Sequence, residues 1–104
     1  MNGTAGRTDR SVYRIDLQGI LSRDELYDYL EDELPFPAYF GRNLDAVHDV
    51  LTEYGRNWTI HFLHLTDIEV MMPRYMEKFR DMCADAMQET EGLEIIFDDD
   101  SAEK

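Results

Sequence analysis

Cysteine is almost absent: Cys83 stands alone in a chain of 104 residues, so no intrachain disulfide can form and a packed core must hold the fold. Phe79, Met82, Ala86 and Met87 surround it at helical spacing, which predicts a buried, inert thiol rather than a nucleophile. Long apolar runs are also missing. None approaches the roughly 18 residues that cross a bilayer. Residues 1–11 (MNGTAGRTDRS) lack the apolar centre of a signal peptide, so they read as a disordered lead-in and the chain as soluble and cytoplasmic. Basic residues are scarce, with ten Lys and Arg against 23 Asp and Glu and a formal net charge of −13 at pH 7. A field of that sign repels nucleic acid and anionic membrane and steers cationic proteins inward. Direct nucleic-acid and membrane binding are therefore disfavoured, whereas binding a basic protein that itself handles nucleic acid is not.

Signatures of catalysis are missing too. There is no Gly-rich phosphate loop, Walker motif or nucleophile elbow. On a strand, His61 and His64 point to opposite faces, and the adjacent helical residues His48 and Asp49 do not face each other. No metal site and no cofactor are expected, and a metal-dependent enzyme is the weakest reading.

What is present is a regular succession of elements. Val12, Tyr13, Ile15 and Leu17 predict a strand stopped by Gly19. Ser22 and Glu25 form a capping box for a helix through Leu34, which Pro35 and Pro37 end. After an aromatic loop (Ala38 to Gly41), Asn43 can cap a second helix, stopped by Gly55. Trp58 to Leu65 reads as a central strand covered on both faces, and Thr66 to Val70 as a turn or short helix. From Met72 the apolar spacing predicts an amphipathic helix of about five turns, with Glu77, Asp81 and Asp85 on its polar side. Gly92 closes it before a final strand, Leu93 to Phe97. This order implies an α/β fold with a small, mostly parallel sheet, because helical crossovers join parallel neighbours. The expected organisation is one domain over residues 12–98, with the lead-in before it and an acidic tail (99–104) after it.

The second helix carries the strongest functional signal. Asp45, Asp49 and Glu53 recur every four residues on one face, with no Lys or Arg among them. Each like-charge pair costs a helix about 0.2–0.5 kcal/mol. The opposite face, with Leu44, Val47, Leu51 and Tyr54 and Val50 beside them, would anchor the helix to the core. An anchored helix offering unpaired acid suits a basic partner; a merely solvated face of an acidic protein is the plainer alternative.

The segment Leu34-Pro35-Phe36-Pro37-Ala38-Tyr39-Phe40-Gly41-Arg42-Asn43-Leu44-Asp45-Ala46-Val47-His48-Asp49-Val50-Leu51-Thr52 resembles the barstar family of inhibitors of barnase-type ribonucleases. The shared pattern is a proline-bearing turn, two aromatics, Gly, any residue, Asn-Leu-Asp-Ala, an aliphatic, often Trp, and Asp. Element order extends the likeness from about Tyr13 to Phe97. It implies a three-stranded parallel sheet packed by three to four helices. It also implies a partner surface of Tyr39, Phe40, Gly41, Asn43, Asp45, His48, Asp49, Tyr54 and Asp81. In that scheme Tyr39 stacks on the catalytic histidine of the ribonuclease, and Asp45 and Asp49 mimic RNA phosphates, Asp49 being the principal mimic. Asp81 follows Phe79-Arg80 where the family has Phe-Arg-Glu, and Tyr54 falls where barstar, the namesake, has tryptophan. Three features depart from the pattern: His48 replaces a tryptophan, Arg42 replaces an acidic residue, and extra residues separate Asp81 from Gly92. An arginine at the rim of an acidic surface would alter its charge pattern. The expected function is intracellular inhibition of such a ribonuclease by a protein monomeric when free. The alternative, favoured by His48 and Arg42, is a binding or immunity module of the same fold for a different basic protein.

Overall fold

A computed structural model describes residues 10–38 and 40–98. β1 (Ser11–Asp16) leads through α1 (Arg23–Glu33) and α2 (Leu44–Tyr54) to β2 (Trp58–Leu63). α3 (Thr66–Met71) and α4 (Pro73–Glu89) then lead to β3 (Glu94–Asp98). The sheet order is β1-β2-β3 and both pairings are parallel, so the expected three-stranded parallel sheet with four helices is what forms. β1 starts at Ser11, and the Arg10 guanidinium hydrogen-bonds the Thr59 hydroxyl (3.0 Å) and the Gly92 carbonyl (2.9 Å). Residues 10 and 11, placed in the lead-in by the sequence reading, thus take part in the sheet and its edge. The rest of that lead-in and the acidic tail lie outside the described residues.

Strand registry decides which side chains meet. Tyr13, Ile60 and Ile95 lie side by side, as do Ile15, Phe62 and Phe97, and these rows face the helices. Phe62 stacks on Phe97 (centroids 5.4 Å apart, planes 14° apart), and Phe79 of α4 meets Phe62 edge-on at 5.5 Å. The other rows, Val12-Thr59-Glu94, Arg14-His61-Ile96 and Asp16-Leu63-Asp98, are exposed or half-buried. This corrects the expectation that β2 is covered on both faces. Two right-handed crossovers that step the same way across a sheet place their helices on the same side. The alternation was present in the sequence, since Thr59 and His61 interrupt the apolar run, and His61 pairs with Asp98 across the open face (3.4 Å).

Local chemistry sets the helix ends. The Ser22 hydroxyl accepts from the Glu25 N–H (3.2 Å), and the Glu25 carboxylate accepts from the Leu21 N–H (2.8 Å). Asn43 Oδ1 accepts from the Ala46 N–H (2.8 Å), starting α2. Gly55 ends α2 with an ordinary φ of −82°; a Cβ there would lie 2.4 Å from the Leu51 carbonyl oxygen, so close approach, not a left-handed turn, is what requires glycine. Pro73 opens α4 at its first turn, where no N–H is needed. α4 buries Met76, Phe79, Met82, Cys83 and Ala86. Each fully buried apolar side chain of this size contributes about 1.5–3 kcal/mol. Burial also raises the pKa of the Cys83 thiol, leaving it protonated and inert, as the sequence predicts.

Candidate partner-binding surface

α2 is fixed on its inner side by Val47, Val50 and Leu51, all buried, with Leu44 half-buried. Tyr54, which the helical period assigned to the same apolar anchor, is instead 44% exposed at the last turn. On the outer side Asp45, Asp49 and Glu53 are all exposed, the Asp49 side chain by 80%. Among the described residues, none of the three pairs with a Lys or Arg. The stripe therefore holds its repulsion without relief, on a helix that packing keeps in place.

Three shallow clefts border this stripe. The first, of about 280 Å³, is lined by Asp49, Glu53 and Tyr54 with Pro37, Phe40 and Gly41, and a third, of about 440 Å³, by Asp45 with Arg23 and Arg42. Phe40 is only 8% exposed and packs on Phe36 (4.6 Å) and Tyr27 (5.8 Å). It belongs to the core and also lines the cleft. Tyr39, the other member of the expected aromatic pair, lies outside the described residues. Gly41 is exposed, and a Cβ there would meet only ordinary contacts at 3.5 Å. Asn43 spends its amide locally, its oxygen capping α2 and its nitrogen donating to the Gly41 carbonyl (3.3 Å), so it aims the helix.

The second cleft, of about 420 Å³, runs between α2 and α4 and brings Asp45 and His48 together with Asp81 and Asp85 across it. Asp81 is thus placed beside the α2 acids, and Asp85, one turn further on, joins it. Sequence reasoning put Asp85 on the polar side of the helix without assigning it to the surface, although the four-residue step from Asp81 was a usable signal. Lys78 also lines this cleft. His48, 28% exposed, stands between helices, with Nε2 3.4 Å from Glu89 and Nδ1 4.0 Å from Asp49. The latter distance is too long for a hydrogen bond, in keeping with the poor mutual orientation of adjacent helical residues.

Arg42 shares the third cleft with Asp45, and its side chain is 35% exposed. Its backbone is left-handed (φ 58°), and its guanidinium turns towards α1, bonding Asp28 (2.9 Å), Glu31 (3.3 Å) and the Asp24 carbonyl (3.1 Å). The hydrogen bond to Asp28, with Glu31 adding to it, raises an already high pKa, so the group is charged at any working pH. The acids of α1 absorb its charge. Nearby, the Tyr27 and Tyr75 hydroxyls hydrogen-bond each other between α1 and α4, and burial raises the Tyr27 pKa.

No arrangement of three or more His, Cys, Asp or Glu side chains able to hold a metal occurs among the described residues. His61 pairs with Asp98, and His64, outside the strand, hydrogen-bonds Asp16 (3.0 Å). No helix among the described residues is long and apolar enough to cross a membrane.

A three-stranded parallel sheet with its helices on one face, and carboxylates from two of those helices gathered on the outside, defines a small α/β protein with an anionic surface. The family model described as "Barstar (barnase inhibitor)" matches residues 10–98, and the chain belongs to the barstar family. It is also similar to the protein named "Putative ribonuclease inhibitor YrdF" of Bacillus subtilis (strain 168), with 50% identity over 38 residues. That match spans 36% of this chain and 42% of the relative's length.

Proposed function

We propose that this protein inhibits a barnase-type ribonuclease by filling its cationic active site with the α2 carboxylates and the loop before them, which stand in for RNA phosphates. The observation that carries this reading is the exposed row Asp45, Asp49 and Glu53 on a helix locked to the core from behind. Carboxylates already held in place lose little freedom on binding, so more of the attraction to a partner's arginines and lysines is retained. Asp49 is the principal mimic, Asp45 and Asp81 extend the anionic surface from either side of the second cleft, and Tyr54 and Gly41 edge the first. Tyr39 takes the stacking role the family implies. Family membership and the ribonuclease-inhibitor relative support the partner class. The inhibitor acts inside the cell as a monomer and protects RNA from an enzyme made for export or received from outside.

Titration into barnase with RNA cleavage as readout tests the reading. Stoichiometric inhibition by the wild-type chain, abolished or strongly weakened by Asp49→Ala, is the expected result. Full cleavage at micromolar wild-type protein would overturn it. In that event the second reading takes over: a module of the same fold for another basic protein. His48 favours it, because an imidazole 3.4 Å from Glu89 replaces the indole common in the family. Arg42 favours it as well, because its guanidinium lines a cleft beside Asp45.

A further inference from the structure

The loop between α1 and α2 carries no regular structure, yet it must deliver Asn43 and the first turn of α2 in one orientation. Phe40 anchors it in the core, and a second side chain ties it down just before the cap. Arg42 reaches back to α1 through two carboxylates and a carbonyl, Asp28 at 2.9 Å, Glu31 at 3.3 Å and Asp24 at 3.1 Å. Its Cζ lies 5.9 Å from the centre of the Tyr27 ring. A planar fork is suited to several acceptors at once, which a lysine ammonium on a flexible stem is not. Its left-handed φ of 58° is an uncommon conformation for a side-chain-bearing residue and is kept only where surrounding contacts dictate it. The next residue caps α2, and Asp45 and Asp49 follow within its first two turns.

We infer that Arg42 is a positioning residue for the partner-binding surface: it clamps the α1–α2 loop to α1 and fixes the direction in which α2 presents Asp45 and Asp49. This rests on the inhibitor reading for its binding consequence but not for its structural one, so two readouts separate them.

The first readout needs no partner. Hydrogen exchange at the Ala46 and Val47 amides, whose acceptors are Asn43 atoms, reports whether the start of α2 is held. Arg42→Ala and the double variant Asp28→Asn/Glu31→Gln should each speed exchange there about three- to tenfold, with exchange in β2 unchanged. Combining them should add little further, because both remove one clamp. The double variant leaves the residue 42 backbone intact, so it tests the clamp even if Arg42→Ala folds poorly. Arg42→Lys should restore protection only in part. Unchanged exchange at both amides, or fully additive effects, would overturn the inference. The second readout is stopped-flow binding to barnase. Arg42→Ala should speed dissociation about three- to tenfold with little change in association. Faster association and tighter binding would show that Arg42 opposes the partner as an exposed charge, and would overturn it as well. If wild-type protein fails to bind barnase, the inhibitor reading falls, while the exchange result still decides the clamp.

Discussion

α1 and α2 are both 11 residues long and both acidic, but they hold their charge in opposite ways. α1 has six carboxylates, Asp24, Glu25, Asp28, Glu31, Asp32 and Glu33, and several are used inside the molecule. Glu25 completes a capping interaction, and Asp28 and Glu31 take the Arg42 guanidinium. α2 has only three, and none meets a Lys or Arg among the described residues. The helix with less acid therefore presents the less compensated face. The density of negative charge in a sequence does not mark a binding surface; the destination of the few cations does.

The comparison can be broken most severely by removing what holds α2 in place. Leu51→Ala empties a fully buried site and should cost about 2–5 kcal/mol of folding stability, visible as a large drop in the thermal midpoint. A small drop would show that α2 is not rigidly seated. Next in size, Asp49→Ala should weaken binding to barnase about 10- to 150-fold, from about 1.5–3 kcal/mol for a lost hydrogen bond to a charged group. Its thermal midpoint should hold or rise slightly, because repulsion from Asp45 and Glu53 is relieved. The matched change on the other helix, Asp32→Asn, should alter affinity less than about twofold, since it shifts only the long-range field. Equal losses from the two would erase the distinction between the helices.

Salt sharpens the same contrast. The screening length falls from roughly 10 Å at 0.1 M to roughly 3 Å at 1 M, so association of the wild-type chain should slow across that range. Salt-independent association would argue against an anionic docking face.

The smallest effect lies away from both helices. The Gln18 backbone N–H and the His64 ring hold the Asp16 carboxyl below its ordinary pKa. A depressed carboxyl pKa means stability that is present above the unfolded value, near about 4, and lost as pH falls through the folded one. Asp16 is well exposed, so solvent screening keeps the contribution small. Wild-type protein should be slightly more stable than Asp16→Asn at neutral pH, and that margin should close below about pH 4 in acid-unfolding curves.

Much of the fold was legible because its causes are local. The Ser22–Glu25 cap, the period of α4 and the parallel order of three strands all follow from residues a few positions apart, and each appears in the structure. The open sheet face was harder to read, since β2 is apolar enough to pass for a strand covered twice, and only the placement of both crossovers on one side leaves Thr59, His61 and Leu63 half-buried. At the surface, the α2 stripe was visible as a four-residue repeat. The inward turn of Phe40 and the outward position of Tyr54 were not, because helical period says which side a residue is on but not where the neighbouring elements stop.

The row of acid on α2 opposite an apolar face follows from residue spacing, because 3.6 residues per turn converts spacing directly into a side. That Asp81 and Asp85 join Asp45 across a cleft, and that Arg42 bonds Asp28 and Glu31, follows from the folded arrangement alone. Those outcomes depend on distances between residues far apart in the chain, and Coulomb attraction acts over a few ångströms of folded space, not along the sequence.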